Sequence, residues 1–142
     1  MRIRLLMLGK TRRPELRALL EDYVKRISRH AAIEAVELRD SAAALKKLEA
    51  DRGATVVLLD AAGKQPASEA FAKWIGELRD RGTRELVFLC GGAEGFPEEL
   101  RLRAQHKLSL SAMTFSHELA RVMLAEQLYR AFAILSGSPY PK

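Results

Sequence analysis

The sequence lacks most of the features that mark secreted, membrane and repetitive proteins. Its 142 residues contain one cysteine, Cys90, so no disulfide can form within the chain, and a reducing, cytoplasmic location is expected. No apolar run approaches the roughly 18 residues of a membrane span. The apolar opening segment that ends at Gly9 is too short for a signal peptide and predicts a first strand. Without repeats or low-complexity tracts, the chain is expected to form one domain over residues 1–142.

Motifs that carry chemistry are also scarce. The histidines, His30, His106 and His117, have no spacing that suits a metal with another ligand, so no metal site is predicted. No Ser/His/Asp order indicates a hydrolase, and Cys90 lies in an apolar strand, where a core residue is expected rather than a nucleophile. Neither the dinucleotide-binding glycine pattern nor a P-loop lysine is present.

The net charge of +6 is concentrated at one end of the chain. Residues 1–30 contain nine Lys or Arg and three Asp or Glu, whereas residues 31–142 contain fifteen of each kind. A basic patch of this kind suits a polyanionic partner, and nucleic acid is the usual one. A solvated basic helix face gives the same pattern, so the charge alone leaves both interpretations open.

Strand-like and helix-like segments alternate along the chain. Strands are predicted over residues 3–8, 33–38, 54–59, 85–90 and 107–110, with Gly63 marking the turn after the third. Helices are predicted over residues 14–28, 41–50 (capped by Ser41), 68–80, a short stretch from Pro97, and 116–135. This alternation indicates βαβ units, and therefore an α/β fold with a mostly parallel sheet and helices on both faces.

Two loops in the last third of the chain are candidate ligand sites. Residues 91–95, Gly-Gly-Ala-Glu-Gly, follow a strand and precede a helix, where glycine permits positive φ and close approach of a ligand to the backbone. Residues 109–116 are rich in hydroxyl groups that could bind an adenine or ribose edge. A tight turn and an N-cap at Ser116 would explain the same residues without a ligand.

The long helix over residues 116–135 is apolar on nearly every side. Its apolar residues are Leu119, Val122, Met123, Leu124, Leu128, Phe132, Ile134 and Leu135. A helix that is apolar all round is buried on all sides, and one sheet face covers only part of it, so a homodimer is expected. Glu126 and Arg130, four residues apart, are expected to form an ion pair within the helix.

Taken together, these motifs resemble the ribosomal RNA large subunit methyltransferase H family, members of the SPOUT class of knotted methyltransferases. The resemblance covers essentially the whole chain. The segments that carry it are Gly9-Lys10, Val57-Leu-Leu-Asp60, Gly63-Lys64, Gly91-Gly92-x-Glu94-Gly95, Leu108-Ser-Leu-Ser-x-Met-Thr-Phe-x-His117, Arg121-Val-x-x-x-Glu126-Gln-x-Tyr129-Arg-Ala131 and Pro139-Tyr140.

The resemblance implies a SPOUT fold with a C-terminal trefoil knot that binds S-adenosylmethionine. The implied cofactor-binding residues are Leu59, Gly92, Ser111, Ala112, Met113, Thr114, Phe115 and Ser116. The proton acceptor is not identified, and the candidates near the substrate are His117, Arg121, Tyr140 and Lys142. The basic patch is expected to contact RNA phosphates through Lys10, Arg12, Arg13 and Arg17.

The implied activity is methylation of N3 of a pseudouridine in large-subunit (23S) ribosomal RNA. In this family the substrate is the assembled ribosome, and the enzyme is a homodimer whose C-terminal tail lies near the active site. Catalysis would depend mainly on alignment of the acceptor nitrogen, and the N3 proton must pass to a positioned base or to solvent.

The chain departs from the family pattern at three places. It ends Tyr140-Pro141-Lys142, where family members usually end Tyr-His-Arg or Tyr-His-Lys, so a tail histidine cannot be the base here. Residues 40–53 form a shorter segment than usual, and Ser116 stands where proline is common. Two alternatives therefore remain: a ribosome-binding dimer that has lost catalysis, and a related methyltransferase that acts on tRNA.

Overall fold

The computed structural model of the chain describes residues 1–140. Five strands and five helices alternate in these residues. The strands are β1 (Arg2–Leu8), β2 (Ala32–Leu38), β3 (Thr55–Lys64), β4 (Glu85–Cys90) and β5 (His106–Leu108). The helices are α1 (Pro14–Ile27), α2 (Ser41–Ala50), α3 (Ser68–Asp80), α4 (Glu98–Arg103) and α5 (His117–Ser136).

The strands form one sheet in the order β2-β1-β4-β3-β5, and every neighbouring pair is parallel. This confirms the prediction of a parallel α/β sheet. Because the strands are parallel, the chain leaves all of them at the same edge of the sheet. In open α/β sheets this carboxyl edge is where ligands bind.

Both faces of the sheet are buried, as the continuous apolar runs of the strands predict. In β1, Ile3, Leu5 and Met7 pack on the face covered by α1, α3 and α5. The alternate residues Leu6 and Leu8 pack on the face covered by α2 and α4. Successive strand side chains point to opposite faces, so each apolar strand serves two cores.

Helix α5 packs against α1 and α3, so the chain itself covers most of its apolar surface. Leu124, Leu128 and Phe132 are buried in this way, whereas Leu119 and Ile134 stay 38% and 36% exposed. The expected ion pair is present, with Arg130 Nη2 2.6 Å from Glu126 Oε2. The homodimer stays a prediction, since an apolar helix between two other helices does not require a second subunit.

Several predicted boundaries differ from the structure. Strand β3 continues to Lys64 instead of ending at residue 59, and Gly63 lies within the strand rather than in a turn. A Cβ at Gly63 would lie 2.6 Å from the carbonyl carbon of Lys107, so glycine lets β3 and β5 approach closely. Asp40, not Ser41, caps α2, because its carboxylate accepts a hydrogen bond from the Ala43 amide.

Candidate active site

A cavity lies at the carboxyl edge of the sheet, beside residues 59–61 of β3 and the ends of β4 and β5. Six of the eight predicted cofactor-binding residues line it: Leu59, Gly92, Ser111, Met113, Thr114 and Phe115. The other two, Ala112 and Ser116, are outside the lining. The fold therefore brings together two loops that are separate in the sequence, and we call this space the cofactor cavity.

The glycine-rich segment on one side of the cofactor cavity is a tight turn. The Gly95 amide donates a hydrogen bond to the Gly92 carbonyl, and Gly95 has a φ of +76°. Position 92 favours glycine for a different reason, because a Cβ there would lie 3.0 Å from the Leu8 carbonyl oxygen. The close approach at Gly92 is thus to the end of β1, whereas the sequence suggested close approach of a ligand.

The hydroxyl-rich loop, residues 109–116, uses its hydroxyl groups to hold its own conformation. Ser109 Oγ donates to the Ser111 carbonyl at 2.9 Å, and Ser111 Oγ accepts from the Met113 amide at 3.0 Å. Ser116 Oγ accepts from the Leu119 amide at 3.3 Å, which confirms Ser116 as the N-cap of α5. The groups that this loop leaves available to a ligand are therefore its backbone, the exposed Thr114 and apolar side chains such as Phe115.

An ion pair in the wall of the cofactor cavity was not among the predicted site residues. Arg101 Nη1 lies 2.7 Å from Asp60 Oδ2, and both residues line the cavity. The Ala62 amide also donates to Asp60 Oδ1. The Ala62 amide and the Arg101 guanidinium lower the pKa of Asp60 below its ordinary value. The sequence signal for Asp60 was a carboxylate directly after an apolar run, because such a run predicts a buried strand whose carboxyl end lies at the edge of the sheet where ligands bind.

The structure separates the candidates for contact with the substrate. His117 lines the cofactor cavity, with its Nε2 4.0 Å from Glu118 Oε2. Tyr140 is not in the lining; its hydroxyl donates to Glu126, and its ring makes an edge contact with Tyr129 at 4.7 Å between centroids. Burial and the Glu126 contact raise the pKa of Tyr140. Lys142, with Pro141, lies outside the described residues.

Arg121 cannot contact an RNA directly, because its side chain is buried beneath the loop that follows β1. Its guanidinium donates to the carbonyls of Leu8 at 2.6 Å and Gly9 at 3.0 Å, and to Thr11 Oγ1 at 3.0 Å. Only 1% of the residue is exposed, and burial lowers the pKa of its guanidinium. Arg121 is thus a structural cation that holds the turn after β1.

The basic loop, residues 9–13, is fixed by side chains from three other elements. Glu118 Oε1 accepts from the amides of Arg12 and Arg13, each at 3.0 Å. Glu37 accepts from the Thr11 amide at 2.6 Å, and Arg17 donates to the Thr11 carbonyl at 2.6 Å. The loop therefore presents its side chains from a fixed backbone.

The four predicted RNA contacts fall into two groups. Lys10 and Arg12 are exposed and form no ion pair with another described residue, and Arg13 pairs with Glu15 at the surface. Arg17 is engaged, since its Nη2 lies 3.0 Å from Glu37 Oε2. We infer that Arg17 supports the basic loop, while Lys10, Arg12 and Arg13 are the side chains available to an anion.

Cys90 also lines the cofactor cavity at the end of β4. It is 1% exposed, and burial raises the pKa of its thiol to about 12, so a core residue was the right prediction. No cluster of His, Cys, Asp and Glu that could hold a metal occurs among residues 1–140. In the same residues, no helix is both long and apolar enough to cross a membrane.

Comparison with known proteins gives a consistent result over the full chain. A family model described as predicted SPOUT methyltransferase matches residues 1–141. A relative from Pelobacter propionicus named ribosomal RNA large subunit methyltransferase H is 45% identical over 99% of both chains. A relative of the same name from Koribacter versatilis is 43% identical, over 99% of this chain and 97% of the relative.

Solved structures with the same fold are more distant in sequence. A probable methylase family protein from Haemophilus influenzae Rd KW20 has a TM-score of 0.57 at 12% identity, over 99% of this chain and 70% of that one. The SpoU methyltransferase AviRb from Streptomyces viridochromogenes, in complex with the cofactor AdoMet, has a TM-score of 0.52 at 13% identity, over 97% and 61%. These two similarities bear on the fold alone.

Proposed function

We propose that this chain, which belongs to the SPOUT methyltransferase family, transfers the methyl group of S-adenosylmethionine to N3 of a pseudouridine in large-subunit (23S) ribosomal RNA. The observation that carries the proposal is the end-to-end identity of 45% with a relative that is named for this RNA. The arrangement of the cofactor cavity beside a fixed basic loop supports it. The specific nucleotide atom comes from the family resemblance.

The lining of the cofactor cavity suits S-adenosylmethionine in polarity and in charge. Leu59, Leu110 and Phe115 give it apolar walls for an adenine ring. The Asp60–Arg101 pair presents one negative and one positive group, which complements the ammonium and carboxylate of the methionine moiety. When bound, the cofactor would supply a methyl group on a sulfonium, from which a neutral thioether leaves in an in-line displacement.

The residues of this chain would then align the acceptor and handle its proton. His117 offers the cavity an imidazole nitrogen that could accept the N3 proton, whereas the Ala62 amide and Arg101 lower the pKa of Asp60 and make it a weaker base. Lys10, Arg12 and Arg13 would bind phosphates of the same RNA. Alignment by these contacts supplies much of the rate enhancement expected for a transfer of this kind.

A homodimer in the cytoplasm, formed from one domain per chain, is part of the same proposal. The exposed apolar side chains of Leu19 on α1 and Leu119 on α5 offer a surface for the second copy. Sedimentation equilibrium measures this directly. A single monomeric species at micromolar concentration would contradict the dimer.

The activity is tested by mapping modified nucleotides of ribosomal RNA from a deletion strain by mass spectrometry. We expect one methylated pseudouridine to lose its methyl group and to regain it when purified protein and S-adenosylmethionine are added to ribosomes. Unchanged methylation at every pseudouridine would refute the proposal. Activity on free tRNA but not on ribosomes would select the tRNA alternative, and no heat of cofactor binding in calorimetry would favour the ribosome-binding dimer.

A further inference from the structure

A cleft with aromatic walls and a cationic rim lies along β5, the edge strand of the sheet. Its volume is about 230 Å³, and its walls include Phe71, Trp74, His106 and Leu108, with Lys64 at the rim. None of the carboxylates in residues 1–140 lines it. Leu108 also lines the cofactor cavity, so the two spaces are neighbours.

The aromatic side chains of the cleft leave part of one large ring open to solvent. The Trp74 ring meets His106 edge-on, with 5.2 Å between centroids and 71° between planes. Phe71 supports Trp74 from within the core at 6.0 Å. Trp74 is only partly buried, so a flat ligand can reach its ring. A partly exposed indole held by two rings is a suitable platform for a nucleobase.

The rim of the cleft is positively charged, and no carboxylate of residues 1–140 in the lining of the cleft balances this charge. Lys64 and Arg81 are exposed, and neither forms an ion pair with another residue of the described chain. Burial, together with the charges of Lys64 and Arg81, lowers the pKa of His106. Cations around an aromatic platform are the features by which proteins bind single-stranded nucleic acid.

We propose that this cleft, defined by Lys64, Trp74, Arg81 and His106, is a second RNA contact that takes an unstacked base of single-stranded RNA. The base stacks on Trp74, and Lys64 and Arg81 neutralise the flanking phosphates. Strands β4 and β3 separate β1 from β5, so the cleft lies about 14 Å across the sheet from the strand that leads into the basic loop. The inference rests on the proposed function, since it names a second contact for the same substrate.

Trp74 is the only tryptophan in the chain, so its fluorescence reports on the cleft directly. The full chain is titrated with a ten-nucleotide oligouridylate, and tryptophan emission is followed at several salt concentrations. We expect saturable quenching that weakens as salt rises, because phosphate contacts release counterions. Trp74→Leu should lower the affinity, measured by anisotropy of a labelled oligouridylate, by about fivefold to a hundredfold.

The double variant Lys64→Gln, Arg81→Gln tests the role of the rim. It should reduce the slope of log affinity against log salt by about 1.4, which is 0.7 for each lost phosphate contact. Lys46→Gln with Lys47→Gln makes the same charge change on α2, which packs on the opposite face of the sheet. This control should keep both the quenching and the slope.

Three results would overturn the inference. These are binding of oligouridylate, detected by anisotropy, that leaves Trp74 emission unchanged, no binding of oligouridylate at all, and a loss of affinity in the control variant equal to that in the rim variant. Emission that depends on protein concentration and not on RNA would assign the cleft to a second copy of the chain. Methylation of ribosomes is measured separately, so loss of the proposed function and loss of the second contact are distinguishable.

Discussion

At the scale of single residues, the charges of Asp60 and Arg101 shape one wall of the cofactor cavity. The two groups are 2.7 Å apart and partly shielded from water, so each fixes the position of the other. Charge-assisted hydrogen bonds from such a pair to a zwitterionic ligand are shorter and stronger than neutral ones. Cofactor affinity is therefore expected to depend on both members of the pair.

Asp60→Asn and Arg101→Gln are each expected to weaken S-adenosylmethionine binding by about tenfold to a hundredfold, since a hydrogen bond to a charged group contributes about 1.5–3 kcal/mol. Calorimetry of the purified variants measures this. Arg103→Gln is the matched control, because Arg103 lies on the same helix α4 and pairs with Glu49 away from the cavity. Unchanged affinity in both cavity variants would show that the pair does not contact the cofactor.

Gly92→Val tests what the glycine at position 92 does. The added side chain would press on the Leu8 carbonyl, which lies 3.0 Å from the Cβ position. We therefore expect the free energy of unfolding to fall by about 1–3 kcal/mol, and cofactor affinity to fall as well. Urea denaturation and calorimetry measure the two effects. Gly53→Ala, with no neighbour closer than 3.7 Å, is the control. Loss of affinity with unchanged stability would mean that Gly92 instead makes room for the ligand.

At the scale of secondary-structure elements, α5 connects the two candidate sites. It begins where the hydroxyl-rich loop ends, and its first turns carry Glu118 and Arg121, which hold the basic loop from below. The amides of that loop donate to a carboxylate, and its carbonyls accept from a guanidinium. Both groups are buried, so their removal leaves polar atoms without partners.

Arg121→Met is expected to destabilise the fold by about 3 kcal/mol or more, because three buried acceptors lose a charged donor. Arg121→Lys should recover part of this stability. Chemical denaturation measures both variants. Arg130→Gln on the same helix removes only a partly exposed ion pair and should cost about 0.5 kcal/mol. Equal losses of stability in the Arg121→Met and Arg130→Gln variants would contradict this role of Arg121.

The Glu118 carboxylate is expected to make the folded chain less stable in acid. The Arg13 and Arg12 amides outweigh the opposing effect of burial, so the pKa of Glu118 lies below its ordinary value of 4.5. A lowered folded-state pKa adds stability above pH 4.5, and this is lost as the pH falls through the folded-state pKa. Glu118→Gln should be less stable at neutral pH, and its stability should fall less steeply below pH 4.5. An identical acid profile for the variant would refute this role.

At the scale of the whole molecule, the positive charge of the first 30 residues has two uses. Part of it is engaged within the chain, as where Arg2 and Arg4 both contact Glu34. Another part, carried by Lys10 and Arg12, extends from the basic loop into solvent. The engaged part is not available to RNA, so net charge overstates the size of the RNA surface.

The double variant Arg12→Glu, Arg13→Glu is expected to weaken ribosome binding by tenfold or more at moderate salt, since two phosphate contacts are lost and reversed in sign. Cofactor affinity should not change, because neither residue lines the cofactor cavity. Filter binding across a salt series, with calorimetry, checks both statements. Lys46→Glu with Lys47→Glu provides the control, and equal loss of RNA and cofactor binding would indicate misfolding.

Much of the fold and part of the site could be predicted from the sequence. The strand and helix order follows from local apolar periodicity, and β4 and α3 begin and end at the predicted residues. The predicted end of β3 was wrong because Gly63 has a tertiary role beside β5 that no local pattern reveals. Asp60 and Arg101 were missed as a pair because 41 residues separate them.

The sequence by itself determined the α/β class, the parallel sheet and the two ligand-edge loops, since these depend on periodicity and on short-range turn chemistry. The tertiary structure alone decided which charges serve the fold and which face solvent. Arg121 and Lys10 are both cations in the sequence, but one lies beneath the basic loop and the other extends from it. Burial and partners depend on contacts between distant residues, so only the folded chain assigns them.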